Sequence, residues 1–322
     1  MAVQLTSSRK GDLVLAVLAP GQGAQKSGFL TEWLKEPSVV DRLETCSAAA
    51  GRNLAAAGTA LPDEAITDTS VAQPLIVAAG IASATMLELP TDVVYAGHSV
   101  GEFTAACLAG VLGPDAAMRL VTIRGREMAA ASADPPGGMA AVLGGDPDEV
   151  AAAIDRAGCV AANYNGPGQL VAAGTKDALA ALIAGPPAGA RVRPLAVAGA
   201  FHSPLMSAAR AAVATAAAET ATSDAAPGVL SNRDGRLVTS GADLLLRLVD
   251  QICRPVRWDR CMAALVELGV TAVIELPPAG TLTAMLRRAA PGIATVALAS
   301  PADLPAAQEL IAEHSAVPAG AA

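Results

Sequence analysis

Apolar positions along the first 131 residues change period several times. The run at 13–18, Leu13 and Val14 through Leu18, is almost wholly apolar and of strand length. Longer stretches at 41–57 and 72–87 place apolar residues at helical spacing; 93–96 is again a short apolar run, and 102–109 and 114–131 return to the helical period. Continuous apolar strands, as opposed to strictly alternating ones, belong to sheets covered on both faces. Alternation of the two patterns therefore predicts a mostly parallel sheet with helices on either side.

The rhythm breaks at Asp134-Pro135-Pro136-Gly137-Gly138. Beyond it, strand patterns at 139–143, 160–164, 170–173 and 191–197 are interleaved with helical ones at 147–157 and 176–184. Such a βαββαβ order is that of a ferredoxin-like unit. After Gly199 the first rhythm resumes, with a helix at 204–222, strands at 229–231 and 271–276, and a helix at 243–253. Small residues at 316–322 predict a frayed end. The expected fold is α/β: a large α/β-hydrolase-like domain (1–133 and 199–322) with a mostly parallel sheet, and an inserted small ferredoxin-like subdomain (134–198).

One junction carries chemistry. The strand at 93–96 runs into Gly97-His98-Ser99-Val100-Gly101, and a helix follows at once. That order is the context of a nucleophile elbow, where a serine on a sharp strand-to-helix turn presents its Oγ outward. The two glycines lack the Cβ atoms that would crowd so tight a turn. N–H groups of the helix's first turn have no intrahelical partner and face developing negative charge. Ser99 is thus a candidate nucleophile for carbonyl carbon, against the plainer reading of a Gly-Ser-Gly surface turn.

A serine needs a base, and the chain has 3 histidines. His98 neighbours the nucleophile on extended backbone, so its side chain points away from that of Ser99; His314 lies near the end of the chain. His202, in the loop where the small unit returns to the main sheet, remains by elimination. After the first strand, Pro20-Gly21-Gln22-Gly23 would let backbone or the Gln22 side chain approach an oxyanion. Nucleotide readings of the same glycines fail, because Lys26 stands where a dinucleotide fingerprint needs glycine, and Phe29 and Leu30 replace the Lys-Ser/Thr of a P-loop.

Composition narrows the classes. Of 322 residues 52% are hydrophobic but only 2% aromatic, which predicts a core of Ala, Val and Leu. A formal net charge of −8 argues against nucleic acid as partner. The longest apolar stretch, 75–87, is too short to span a bilayer, and the polar start is unlike a secretory signal. Five cysteines without a Cys-x-x-Cys pair read as reduced thiols of a cytoplasmic protein, with Cys253 and Cys261 on one helical stretch. Arg254, Arg257, Arg260, Arg287 and Arg288 form a late basic group, read as a solvated face or a docking patch for an acidic protein.

Taken in order, six segments resemble one family: Pro20-Gly21-Gln22-Gly23; Gly97 to Glu102; Arg124-Gly125; Asn163-Tyr164-Asn165 through Gln169; Gly199-Ala200-Phe201-His202; and Gln251 with Pro255-Val256-Arg257-Trp258. The chain resembles malonyl-CoA:acyl carrier protein transacylases, of actinobacterial type, and more distantly polyketide synthase acyltransferase domains. The resemblance implies Ser99 as the acylated nucleophile, His202 as its base and the Gln251 carbonyl in place of a triad acid. It further implies an oxyanion hole from Gln22 and the N–H of Val100, and a substrate site of Arg124, Phe201, Asn163 and Asn165. Malonyl differs from acetyl by one carboxylate, which a guanidinium binds through two parallel hydrogen bonds. The implied partners are malonyl-CoA and acyl carrier protein, with neither cofactor nor metal, and the expected state is a monomer. An α/β-hydrolase-type esterase and a non-catalytic carrier-binding module are the competing readings.

Overall fold

The computed structural model describes residues 14–315; Leu13 and residues 316–322, read above as the start of a strand and a frayed end, lie outside the described residues. Strand β1 (Val14–Ala19) leads to α1 (Pro37–Ala50), α2 (Leu54–Ala60), α3 (Asp63–Ile66) and α4 (Thr69–Ser83). Next come β2 (Val94–Gly97), α5 (Gly101–Leu108) and α6 (Pro114–Ala131). A second segment holds β3 (Gly137–Gly144), α7 (Pro147–Arg156), β4 (Val160–Tyr164), β5 (Gln169–Thr175), α8 (Lys176–Ala184) and β6 (Ala190–Pro194). The chain continues through α9 (Ser207–Ala218), β7 (Val229–Leu230), β8 (Leu237–Val238), α10 (Gly241–Gln251) and α11 (Trp258–Glu267). It closes with β9 (Val270–Glu275), α12 (Thr281–Ala289), β10 (Ala294–Ala297) and α13 (Leu304–Ser315).

The larger sheet has the order β10-β9-β1-β2-β7-β8 and is parallel except for the edge pair β7/β8. Its strands are apolar on both faces because both are covered. Leu15, Val17 and Tyr95 join the core under α1, α4, α5 and α6, whereas Ala16, Leu18 and Val94 join a second core with Trp258, Leu265 and Leu282. The smaller sheet, β4-β5-β3-β6, is antiparallel throughout. One face packs on α7 and α8 through Val142, Ile154, Leu170 and Leu182. The other sends Met139, Val171 and Ala173 into the main core, which seats the small unit against the large sheet's helices.

Three expectations are corrected. The helix read at 41–57 is two helices: Gly51 (φ 62°) ends α1 in the left-handed region, and the Asn53 side chain accepts the Ala56 N–H to start α2. The apolar stretch at 75–87 belongs to a continuous helical segment, Thr69–Met86, that is long enough to cross a membrane. It is 83% buried inside the protein, as the central helix between α1, α5 and α6. Cys253 and Cys261 do not share a helix, because α10 ends at Gln251 and Pro255 interrupts the path to α11. All five cysteines are free.

Candidate active site

Parallel strands point their C-terminal ends to one edge, where open α/β sheets gather ligands. Here β1 and β2 end level, Ala19 opposite Gly97, and β7 runs beside β2. The residues just beyond them are Gln22, Ser99 and Asn232. Ser99 stands at φ 52° and His202 at φ 57°, and among the described residues no other non-glycine side chain has a positive φ. Each such conformation costs about 1–3 kcal/mol and persists only where the surroundings impose it. At the elbow, a Cβ on Gly97 would strike the backbone of Gly101, and one on Gly101 would strike the carbonyl of Ala19. The turn has room only for glycine at both places.

Ser99 Oγ lies 2.7 Å from His202 Nε2, and His202 Nδ1 lies 2.8 Å from the Gln251 carbonyl oxygen. A carbonyl only accepts, so Nδ1 carries the proton and Nε2 is the free base facing the hydroxyl. Burial, and after it the nearby Arg124 charge, push the His202 pKa down to about 3. The imidazole is therefore neutral at ordinary pH and ready to accept a proton.

Arg124 projects from α6 and is fully buried. Its Nη1 donates to Gln73 Oε1 (2.6 Å), and its Nη2 donates to Gln251 Oε1 (3.0 Å) and to Ser99 Oγ (3.2 Å). Its Nε has no partner. Among the described residues Arg124 forms no ion pair. Burial lowers its pKa to about 10, which still leaves it charged. Its guanidinium carbon stands 5.9 Å from the centre of the Phe103 ring. A buried cation held by neutral amides keeps its charge available to an anionic group.

Beneath the elbow lies a polar network. Glu102, in the first turn of α5, accepts the Asn232 N–H (2.6 Å) on one carboxyl oxygen and the Gln251 amide on the other. Burial pushes Glu102 up to about 8, against the hydrogen bonds from Asn232 and Gln251 and the Arg124 charge, which pull it down. The Asn232 side chain accepts the Ser99 N–H (2.8 Å) and donates to the Gly97 carbonyl (2.7 Å). Gln251 Nε2 also donates to the Ser99 carbonyl (3.1 Å).

The remaining sequence candidates sit as follows. The Gln22 side-chain amide donates to the Thr67 carbonyl and to Thr69 Oγ1 (3.2 and 3.3 Å). Val100 is the N-cap of α5, directly after the nucleophile. Asn165 accepts from His98 Nε2 (2.9 Å), bracing the histidine beside Ser99. Asn163 lies in β4 with its Oδ1 buried and unpartnered. Phe201 packs in the main core against Gly199, and the ring beside Arg124 is that of Phe103. Of the late arginines, Arg254 and Arg257 line one cavity of about 520 Å³ with Tyr164 and Asp250, while Arg260 lines another.

Asn232, Glu102 and Gln73 went unassigned in the sequence. Glu102 had a signal, a carboxylate one turn after the serine on an otherwise apolar helix face. Asn232 lay in a segment, Ser231 to Gly235, that contributed to the actinobacterial resemblance but received no role, and Gln73 had no signal; the packing of β7 and α4 against the elbow brings both in.

A family model described as "Acyl transferase domain" matches residues 17–303. The malonyl CoA-acyl carrier protein transacylase of Mycobacterium tuberculosis (strain H37Rv) is 49% identical over 296 residues, 90% of this chain and 98% of the relative. The transacylase of the same name from Escherichia coli (strain K12) is 33% identical over 305 residues, 92% of this chain and 99% of the relative. Among solved structures, that of MCAT from Mycobacterium tuberculosis superposes with a TM-score of 0.88 at 48% identity, covering 92% of this chain and 99% of that one. A type II PKS acyl-carrier protein in complex with its malonyl-transacylase gives 0.85 at 30% identity, covering 92% and 99%.

Proposed function

The chain belongs to the acyl transferase family, among the malonyl CoA-acyl carrier protein transacylases, and from that premise we propose that it carries malonyl from malonyl-CoA to the phosphopantetheine thiol of acyl carrier protein. The reaction runs in two halves through a malonyl ester of Ser99. In the first, His202 Nε2 takes the Ser99 proton as Oγ attacks the thioester carbon. Negative charge gathers on the thioester oxygen. The Ser99 N–H is already engaged by Asn232, so the donors are the N–H of Val100 and the backbone N–H of Gln22. Collapse breaks the C–S bond, and His202 returns the proton to the leaving CoA thiolate. In the second half the carrier's thiol gives its proton to His202 and attacks the ester, and Ser99 Oγ recovers the proton. No metal or redox group enters this scheme. The low pKa of His202 keeps Nε2 unprotonated before attack and makes its conjugate acid a ready donor to the leaving thiolate.

One observation carries the malonyl assignment: a fully buried, charged guanidinium without a carboxylate partner, 3.2 Å from the nucleophile. Attached to Ser99, malonyl brings its free carboxylate to Arg124, displacing the amide contacts of Gln73 or Gln251. Phe201, Asn163 and Asn165 line the approach in this reading. The small βαββαβ unit, with strand order β4-β5-β3-β6, is taken as a ferredoxin-like subdomain inserted in a hydrolase-like domain. The enzyme acts as a monomer in the cytoplasm, where its five free thiols stay reduced.

Incubation with malonyl-CoA, followed by proteolysis and mass spectrometry, is expected to place a malonyl group on the Ser99 peptide and on none in Ser99→Ala. Addition of holo acyl carrier protein then discharges it to the carrier. Release of free malonate at the same rate without carrier would make the protein a hydrolase and overturn the proposal.

A further inference from the structure

We propose that Asn232 is a positioning residue for the nucleophile: its side-chain amide clamps both sides of the strand-to-helix turn and so sets Ser99 Oγ against His202. The proposal deepens the reading of Ser99 as the acylated group and rests on it. Asn232 is fully buried two residues past the end of β7, far from the elbow in sequence. Its Nδ2 donates to the Gly97 carbonyl, before the serine, and its Oδ1 accepts the N–H of Ser99 itself. Gly97 offers only an acceptor and the Ser99 amide only a donor, so the Asn232 amide has one orientation here. A second donor, Gln251 Nε2 at 3.2 Å, meets the same Oδ1.

The clamp is itself held from behind. The backbone N–H of Asn232 donates to Glu102 Oε1, and the other oxygen of that carboxyl takes the Gln251 amide. Gln251 in turn offers its carbonyl to His202 Nδ1. Nucleophile and base are thus registered through two neighbouring buried residues, Asn232 by its side-chain amide and Gln251 by its main-chain carbonyl. Without the clamp, the Ser99 N–H loses its partner and the backbone is free to leave φ 52°. Oγ then swings away from Nε2, and the Val100 N–H turns with it.

Asn232→Ala removes both contacts; Asn232→Asp keeps the shape and the acceptor for Ser99 but sets a carboxyl oxygen against the Gly97 carbonyl. Each is assayed below its own melting temperature, in two ways: single-turnover acylation by malonyl-CoA, and inactivation by phenylmethylsulfonyl fluoride, which needs an activated serine but no malonyl recognition. Misplacing a reacting atom by about 1 Å costs on the order of 100-fold. Both rates are expected to fall about 30- to 100-fold in Asn232→Ala, with KM for malonyl-CoA within about threefold of wild type, because Arg124 is untouched. Asn232→Asp is expected to fall in the same direction. A merely structural role predicts a lower melting temperature with both rates unchanged in the folded protein, and that result overturns the proposal. Should the alanine variant not melt cooperatively, the isosteric aspartate decides alone. Failure of wild type to take malonyl would sink the functional reading, while the sulfonyl fluoride rates would still judge the clamp.

Discussion

Two adjacent residues at the end of α10 face opposite worlds. Asp250 is half-buried at the surface and accepts Arg210 and Arg233, both through Nη2 at 2.6 Å. Gln251, the next residue, turns inward and accepts Arg124 at 3.0 Å. At the surface, water screens the charges and a carboxylate can neutralise two arginines with little consequence. Inside, a carboxylate at position 251 would occupy the guanidinium permanently. A neutral amide orients Arg124 without cancelling its charge, and Glu102, whose pKa burial raises to about 8, bonds Asn232 and Gln251 and not the guanidinium. The inner guanidinium thus keeps its charge without an ion-pair partner among the described residues, the feature on which the proposed malonyl recognition rests.

The strongest way to break this contrast is to remove the inner arginine. Arg124→Ala is expected to lower malonyl-CoA over acetyl-CoA selectivity by about 2–5 kcal/mol, the range for losing one partner of a buried charge pair. Comparing kcat/KM for the two donors measures it; an unchanged preference would remove Arg124 from carboxylate recognition. The second test concerns pH. His202 is pushed down to about 3 by burial first and by Arg124 second, so phenylmethylsulfonyl fluoride inactivation should stay flat from pH 7 to below pH 5. In Arg124→Ala the acid limb should move up toward the ordinary imidazole value, since a repelling charge has gone. A limb near 6.5 in the wild type would contradict the assignment.

The same shift has a stability consequence. Between about pH 3 and 6.5 the unfolded chain binds more protons at His202 than the folded one, so this contribution is present above 6.5 and lost as pH falls toward 3. Glu102 works the other way, its contribution present below 4.5 and lost as pH rises through about 8. The smallest effect is expected at the surface. Asp250→Ala leaves Arg210 and Arg233 without their partner, yet both are 40% or more exposed. The cost should be about 0.2–1 kcal/mol in chemical denaturation, with malonyl kcat/KM within about twofold. A large loss of activity there would mean that the two faces of α10 are coupled.

Much of the architecture was legible because it is local. Continuous apolar strands marked the covered parallel sheet, and the Pro-Pro-Gly-Gly break marked the start of the antiparallel unit. Element ends were less legible. The break at Gly51 needed a left-handed cap, and while β7 was read at 229–231, the short edge strands β8 and β10 were missed. The embedded helix α4 shows the same limit, since its all-round apolar surface is read as a core helix only once its neighbours are known.

The sequence by itself pointed to the groups that can do chemistry, a serine between two glycines and few histidines to serve it, while Arg124 entered only through the resemblance. The first two are properties of residue type and short-range spacing. Only the tertiary structure supplied the contacts themselves: His202 meets Ser99 at 2.7 Å, the Gln251 carbonyl that the resemblance implied lies 2.8 Å from its Nδ1, and Asn232 grips the turn. These contacts join residues 49 to 133 positions apart, and no pattern within a strand or helix encodes them. They arise because parallel strands deliver their following loops to one edge of the sheet, where burial then turns ordinary side chains into a neutral base, an acid of raised pKa and an unpaired cation.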